Sequence, residues 1–265
     1  MPLPEGLLNP IPGNNPSGKT LRYDGVYDKI REARREEDVL PQGDWSREVK
    51  KADFPLVIKL ATEALATKSK DLQLAAWLTE AVMFRDHIAG LQQGLDLLRG
   101  FMETFWDTLY PEIEDGDLEF RAGPLGWVGS KLDGPVRRLP LTRSKLDFFK
   151  YQESRRVGYE ADAASEDRAA ARATAIAEKK CTAEEFDEAV RATGDAYYAK
   201  LSANLVAALQ WNEPRLGLPD RRLAERRERL LPKRLPIRAR RQRTHLPDLG
   251  RANRRRLPGV RAGAM

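Results

Sequence analysis

What the 265-residue sequence lacks narrows it first. It has one cysteine, Cys181, and two histidines, His87 and His245. An internal disulfide and a Cys/His zinc cluster are therefore both excluded, and no metal site is expected. No run of about 18 apolar residues occurs, so no membrane-spanning helix is expected. The opening MPLPEGLLNPIPGNN has no basic patch ahead of an apolar stretch, unlike a secretory leader. The expected location is cytoplasmic. Apolar–polar alternation never persists beyond a few residues, which argues against strands and for an all-α chain.

The net charge of +6 conceals an asymmetry. Residues 212–265 hold 17 basic and 5 acidic side chains, which leaves 29 against 35 in residues 1–211. The body is acidic and the tail basic, so the nucleic-acid reading that a basic protein invites rests on the last 54 residues alone.

Along the body, Pro2, Pro4, Pro10, Pro12 and Pro16 with Gly6, Gly13 and Gly18 describe an extended lead-in over residues 1–24. A helix then carries Val26, Ile30 and Ala33 and ends in Arg34-Arg35-Glu36-Glu37-Asp38, a run that reads as a solvated face or a docking surface. Asp53 as N-cap with Pro55 in the first turn starts a second helix that stops near Thr67. A third follows Ser69-Lys70-Asp71, and its broad face around Trp77 and Leu78 marks it as central. Ile88, Leu91, Leu95, Leu98, Met102, Phe105 and Leu109 step by three or four through a fourth, ended by Pro111. That stripe suits the core of an antiparallel bundle better than a coiled-coil seam, which needs more heptads.

Residues 112–142 are expected to hold one irregular helix over the bundle end, around Trp127. The aromatic segment from Leu146 to Tyr151 yields no assignment. An Ala-rich exposed helix over about 165–180 precedes a capping box, Thr182 to Glu185, that starts a last helix through Phe186, Val190, Tyr197, Leu201 and Leu205. The expected division is 1–142, a helical extension at 143–211, and an Arg/Pro-rich tail at 212–265, expected to be disordered.

Gly13-Asn14-Asn15-Pro16-Ser17-Gly18-Lys19-Thr20 matches the phosphate-binding pattern G-x-x-x-x-G-K-[ST]. The pattern needs a buried strand before it and a helix N-terminus after it. Here Pro10 and Pro12 stand where the strand should run, Pro16 removes an N–H donor, and no later apolar strand ends in a metal-binding Asp. Nucleotide binding through Gly13, Gly18, Lys19 and Thr20 stays as an alternative; otherwise no cofactor is expected. No other catalytic constellation appears. His87 reads as a cap or packing residue at a helix junction, and Cys181 as an inert surface thiol ahead of a helix N-terminus.

Pro10 to Gly18 followed by Leu21-Arg22-Tyr23-Asp24 resembles the opening of the N-terminal domain of the ImpA (TssA) family of type VI secretion system proteins. Arg31 to Glu37 with Trp45, Lys68 to Leu72 leading into Ala75 to Ala81, Gly90-Leu91, Gly94-Leu95, Trp106 with Tyr110-Pro111, and Asp115 to Asp117 are similar to later motifs of that domain. The likeness is good over residues 8–142 and looser to Gln210. It implies a non-enzymatic cytoplasmic component of a contractile, phage-tail-like injector, contacting baseplate, sheath or tail proteins and possibly copies of itself. The motif glycines then serve turns, and Lys19 completes the phosphate pattern by accident. As structural or interface residues the likeness singles out Pro12, Gly13, Asn15, Pro16, Gly18, Arg22, Tyr23, Asp24, Arg34, Arg35, Glu36, Trp45, Lys70, Asp71 and Trp77. Tyr23 is expected to pin the lead-in to the bundle, and Arg22 and Asp24 to cap or pair there.

After Gln210 the chain departs from the family pattern. Sixteen Arg, six Pro and no aromatic residue in 54 residues suggest a G/C-rich gene read out of frame. If the tail is genuine, its arginines would bind phosphate backbones without base stacking.

Overall fold

The computed structural model describes residues 2–37 and 50–210, which form helices and turns with only isolated β-bridges. The helices are α1 (Gly25–Arg34), α2 (Phe54–Thr67), α3 (Leu72–Phe105), α4 (Glu119–Lys131), α5 (Asp133–Arg137), α6 (Phe148–Val157), α7 (Glu166–Ala177), α8 (Ala183–Thr193) and α9 (Asp195–Gln210), with a 3₁₀ turn at Glu160–Asp162. The all-helical expectation holds.

Caps set the starts. Asp24, Asp53 and Asp71 each accept backbone N–H bonds in the first turns of α1, α2 and α3. Thr182 and Glu185 form the anticipated capping box of α8. Ser165 caps α7, none of whose residues is buried, as its composition suggested.

Element α3 contains both the third and the fourth expected helices. They are two arms that fold back on one another at His87, whose φ of 57° and ψ of −135° lie outside the helical region. Two glycines permit the close return. A Cβ at Gly90 would stand 2.0 Å from the Val82 carbonyl oxygen, and one at Gly94 would stand 2.5 Å from the Thr79 side chain. The second arm stops at Phe105, short of the expected Leu109, although Leu109 remains fully buried. This hairpin supplies most of the core, including Leu74, Leu78, Val82, Met83, Leu98 and Phe101. Helix α2 packs along α3, α1 packs on α2, and α4 closes against α3 with Val128 buried.

Residues 112–142 fold as two helices, α4 and α5, in place of the single one expected. The unassigned aromatic segment forms α6, capped by Asp147 and packed on α8. The last expected helix is broken at Gly194, with φ of 81°, into α8 and α9. The apolar spacing of three and four survives the break, which is why it read as one helix. Helix α9 then returns to α3.

Candidate interaction surface

The phosphate-loop match occupies part of the lead-in, where three of its backbone donors are already engaged. Ser17 N–H bonds Asn15 Oδ1 at 2.8 Å, Gly18 N–H the Asn15 carbonyl at 2.8 Å, and Lys19 N–H the Lys68 carbonyl at 3.1 Å. A phosphate nest needs those N–H groups free and convergent. The Ser17 carbonyl accepts from Lys70 N–H, and the Ser17 hydroxyl pairs with that of Thr108 at 2.7 Å. Tyr110 ties the loop from the other side, accepting from Asn15 Nδ2 and donating to the Gly18 carbonyl. Among the described residues no strand precedes the loop, and the next helix begins only at Gly25. Gly18 has φ of +74°, and a Cβ there would lie 2.2 Å from the Lys68 carbonyl oxygen, so this glycine serves a close backbone crossing. Pro12 and Pro16 sit on the exposed rim with Gly13.

Lys70 and Asp71 lie beneath that loop. Lys70 is fully buried, and its Nζ donates to the carbonyls of Leu7 at 2.7 Å and Leu65 at 2.8 Å. The rings of Phe101 and Phe105 stand 5.8 and 5.6 Å away. Burial pulls its ammonium down to about 8. One lysine thus fastens the lead-in, through Leu7, to the end of α2. Asp71 caps α3 with one oxygen, accepting from Gln73 and Leu74 N–H, and takes the Tyr27 hydroxyl on the other at 2.6 Å. Burial raises both Asp71 and Tyr27 above their ordinary ranges.

Arg34 is held more firmly than a docking run would hold it. Its Nε bonds Glu80 at 2.5 Å, and its guanidinium lies over Trp77 at 5.1 Å and Trp127 at 4.8 Å, which joins α1, α3 and α4. Arg35 is exposed and pairs with Glu32 and Glu37, while Lys50 also reaches Glu32; the two hydrogen bonds hold the Glu32 carboxyl down at about 2. Glu36 is exposed. Asp38, the last residue of that run, and Trp45 lie outside the described residues, as does the tail from Trp211 onward.

Tyr23 is not an anchor. It is 91% exposed, and the lead-in is pinned instead by buried Leu7, Ile11 and Leu21. Arg22 lies over the rings of Tyr23 at 5.9 Å and Phe120 at 5.4 Å, on the outside of the bundle. Asp24 is consumed as the α1 cap. Cys181 is buried rather than on the surface, and that burial raises its thiol above the ordinary range.

The sequence reading missed Arg121. Almost wholly buried, it donates to the carbonyls of Pro111 at 2.7 Å, Leu109 at 2.6 Å and Trp106, and stacks on the Trp106 ring at 4.9 Å. It satisfies carbonyls of the segment from Trp106 to Pro111 that follows α3. Nothing in its local sequence distinguishes it from a surface arginine, because its role depends on the return of α4. Among the described residues no group of three or more His, Cys, Asp or Glu is placed to hold a metal ion. No helix there is long and apolar enough to cross a membrane.

Residues 8–130 match the family model of the ImpA N-terminal region, type VI secretion system. The chain is similar to the type VI secretion system component TssA1 of Pseudomonas aeruginosa, with 32% identity over 143 residues, 52% of this chain and 41% of that protein. It thus spans well under half the length of that curated relative. A solved structure, the N-terminal domain including the conserved ImpA_N region of the TssA component from Burkholderia cenocepacia, matches with a TM-score of 0.67 and 35% identity. That match covers 88% of this chain and 86% of the solved one.

Proposed function

Because the chain belongs to the ImpA (TssA) family of type VI secretion system proteins through its N-terminal domain, we propose that it is a non-enzymatic assembly component. It works through protein–protein contacts with baseplate, sheath or tail proteins of a contractile injector in the bacterial cytoplasm. The observation that carries this reading is how the motif residues are used. Lys70, Asp71, Arg34 and Gly18 are committed to internal hydrogen bonds, ion pairs and a close crossing. Their chemistry builds a rigid body and leaves no reactive cluster.

The same reading divides the chain into an ImpA-like domain at 1–142, a helical extension at 143–211 and the basic tail. Within it, α9 is the helix that ties the extension back to α3. The tail is a frame-shifted segment under this proposal and takes no part in binding.

The test is pairwise. The full chain is immobilised and each purified sheath, tube and baseplate protein of the same secretion system is passed over it, with and without ATP. Binding of at least one in the micromolar range, indifferent to nucleotide, is expected. Absence of binding to every one, or binding that requires ATP and is lost in Lys19→Ala, would overturn the proposal.

A further inference from the structure

Arg22 and Tyr23 stand at the two corners of a turn closed by the Asp24 N–H and the Leu21 carbonyl at 2.9 Å. Both ends of that turn are fixed, because Leu21 is fully buried and Asp24 caps α1. The tip is therefore rigid, and it turns outward two of the residue types that most often anchor protein interfaces. Phe120, in the first turn of α4, is 43% exposed, and the Arg22 guanidinium lies over both its ring and that of Tyr23. One patch thus joins the lead-in to α4. Its guanidinium is spent on ring faces that it holds in place, so docking there costs little side-chain entropy. The segment leading into Phe120, residues 112–119, rims the patch with five carboxylates and no basic side chain. Glu114, Asp115 and Glu119 are exposed, and among the described residues none of the three forms an ion pair.

We infer that the patch of Arg22, Tyr23 and Phe120 is a docking surface for a basic segment of a partner protein. An apolar or aromatic anchor of that segment packs against the two rings, while its Lys and Arg side chains meet the carboxylates of residues 112–119. Charge selects this occupant over others. Nucleic acid and anionic lipid would bring phosphates against the same carboxylates. A second copy of this chain would oppose one acidic rim to another across a two-fold axis. The chain's own basic tail shares the required charge, and cross-linking separates it from a partner. The inference rests on the reading of the chain as an assembly component, and it assigns that component a surface and a partner chemistry.

Each purified sheath, tube or baseplate protein that binds the full chain is titrated against Tyr23→Ala, Phe120→Ala and the pair Glu114→Lys with Glu119→Lys. All four positions are exposed, so helicity by circular dichroism should not change. Each alanine variant should raise Kd by about tenfold or more. The charge reversal should slow association by about tenfold at low salt, a difference that salt at about 0.5 M should largely erase. Ile176→Ala, at an exposed apolar position on α7, should bind as wild type does. A benzophenone cross-linker in place of the Tyr23 side chain should label a Lys/Arg-rich segment of the partner. Kd values within about twofold of wild type for both alanine variants would overturn the inference. So would association that the charge reversal leaves unchanged or speeds, or cross-links confined to residues 212–265. Failure of the wild-type chain to bind any of these proteins is a different result: it removes the assembly reading itself, and this surface with it.

Discussion

Replacing Lys70 by Met tests the buried latch and gives an unusual pH signature. The substitution keeps most of the stem volume and removes the donor, leaving the Leu7 and Leu65 carbonyls buried and unpaired. Each orphaned acceptor costs about 1–3 kcal/mol, so the loss against a neutral, hydrogen-bonded amine is on the order of 4 kcal/mol. At pH 7, however, the wild-type amine is charged, and burying that charge already weakens the native state. The folded group titrates at about 8, against about 10.4 in the unfolded chain. Between those values the unfolded chain holds the proton and the folded protein has released it, so the wild-type protein gains stability as pH rises through that window. The gain is at most about 3 kcal/mol at 1.36 kcal/mol per pH unit. Lys70→Met should thus cost only on the order of 1 kcal/mol at pH 7 and on the order of 4 kcal/mol at pH 10. Urea unfolding of both proteins, followed by circular dichroism at half-unit pH steps, gives the difference directly, because every other titrating group is common to both. A difference that is flat with pH, or that shrinks as pH rises, would refute the argument.

Three further outcomes follow from the same geometry. Arg34→Ala should destabilise by about 2 kcal/mol, since it strands Glu80 and empties the space between Trp77 and Trp127; a cycle with Glu80→Gln should show coupling of at least about 0.5 kcal/mol, and full additivity would contradict the pairing. Gly18→Ala should lower the unfolding free energy by about 2 kcal/mol or more, because the Cβ meets the Lys68 carbonyl at positive φ, and a change below about 0.5 kcal/mol would show that the crossing relaxes freely. Lys19→Ala, at an exposed position, should leave stability within about 0.5 kcal/mol. Calorimetric titration of either protein with millimolar ATP should show no binding, and saturable heat lost in the variant would restore the phosphate-loop reading.

The helices were legible where local rules govern them. Asp24, Asp53 and Thr182 each read as a cap or a candidate for one, and each is one. The errors arose where a glycine or an arginine acts over a distance. Gly194 broke a stripe whose spacing gave no sign of it, and Arg121 binds the carbonyls of the segment after α3 from ten to fifteen residues downstream. Tyr23 misled because its size suggests burial, whereas Leu7, Ile11 and Leu21 fill the place it was assigned. Lys70 and Asp71 stood out by resemblance alone. A lysine within a polar run says nothing of two backbone carbonyls supplied by Leu7 and Leu65.

The central claim, that this domain serves the assembly of a contractile injector, is tested most directly in living cells by imaging fluorescent sheaths after in-frame deletion of residues 8–130 at the chromosomal locus. Sheath assembly should fail or fall sharply and be restored by the intact gene, with Lys19→Ala restoring it as well as wild type. Normal sheath assembly in the deletion strain, or restoration that depends on Lys19, would contradict it.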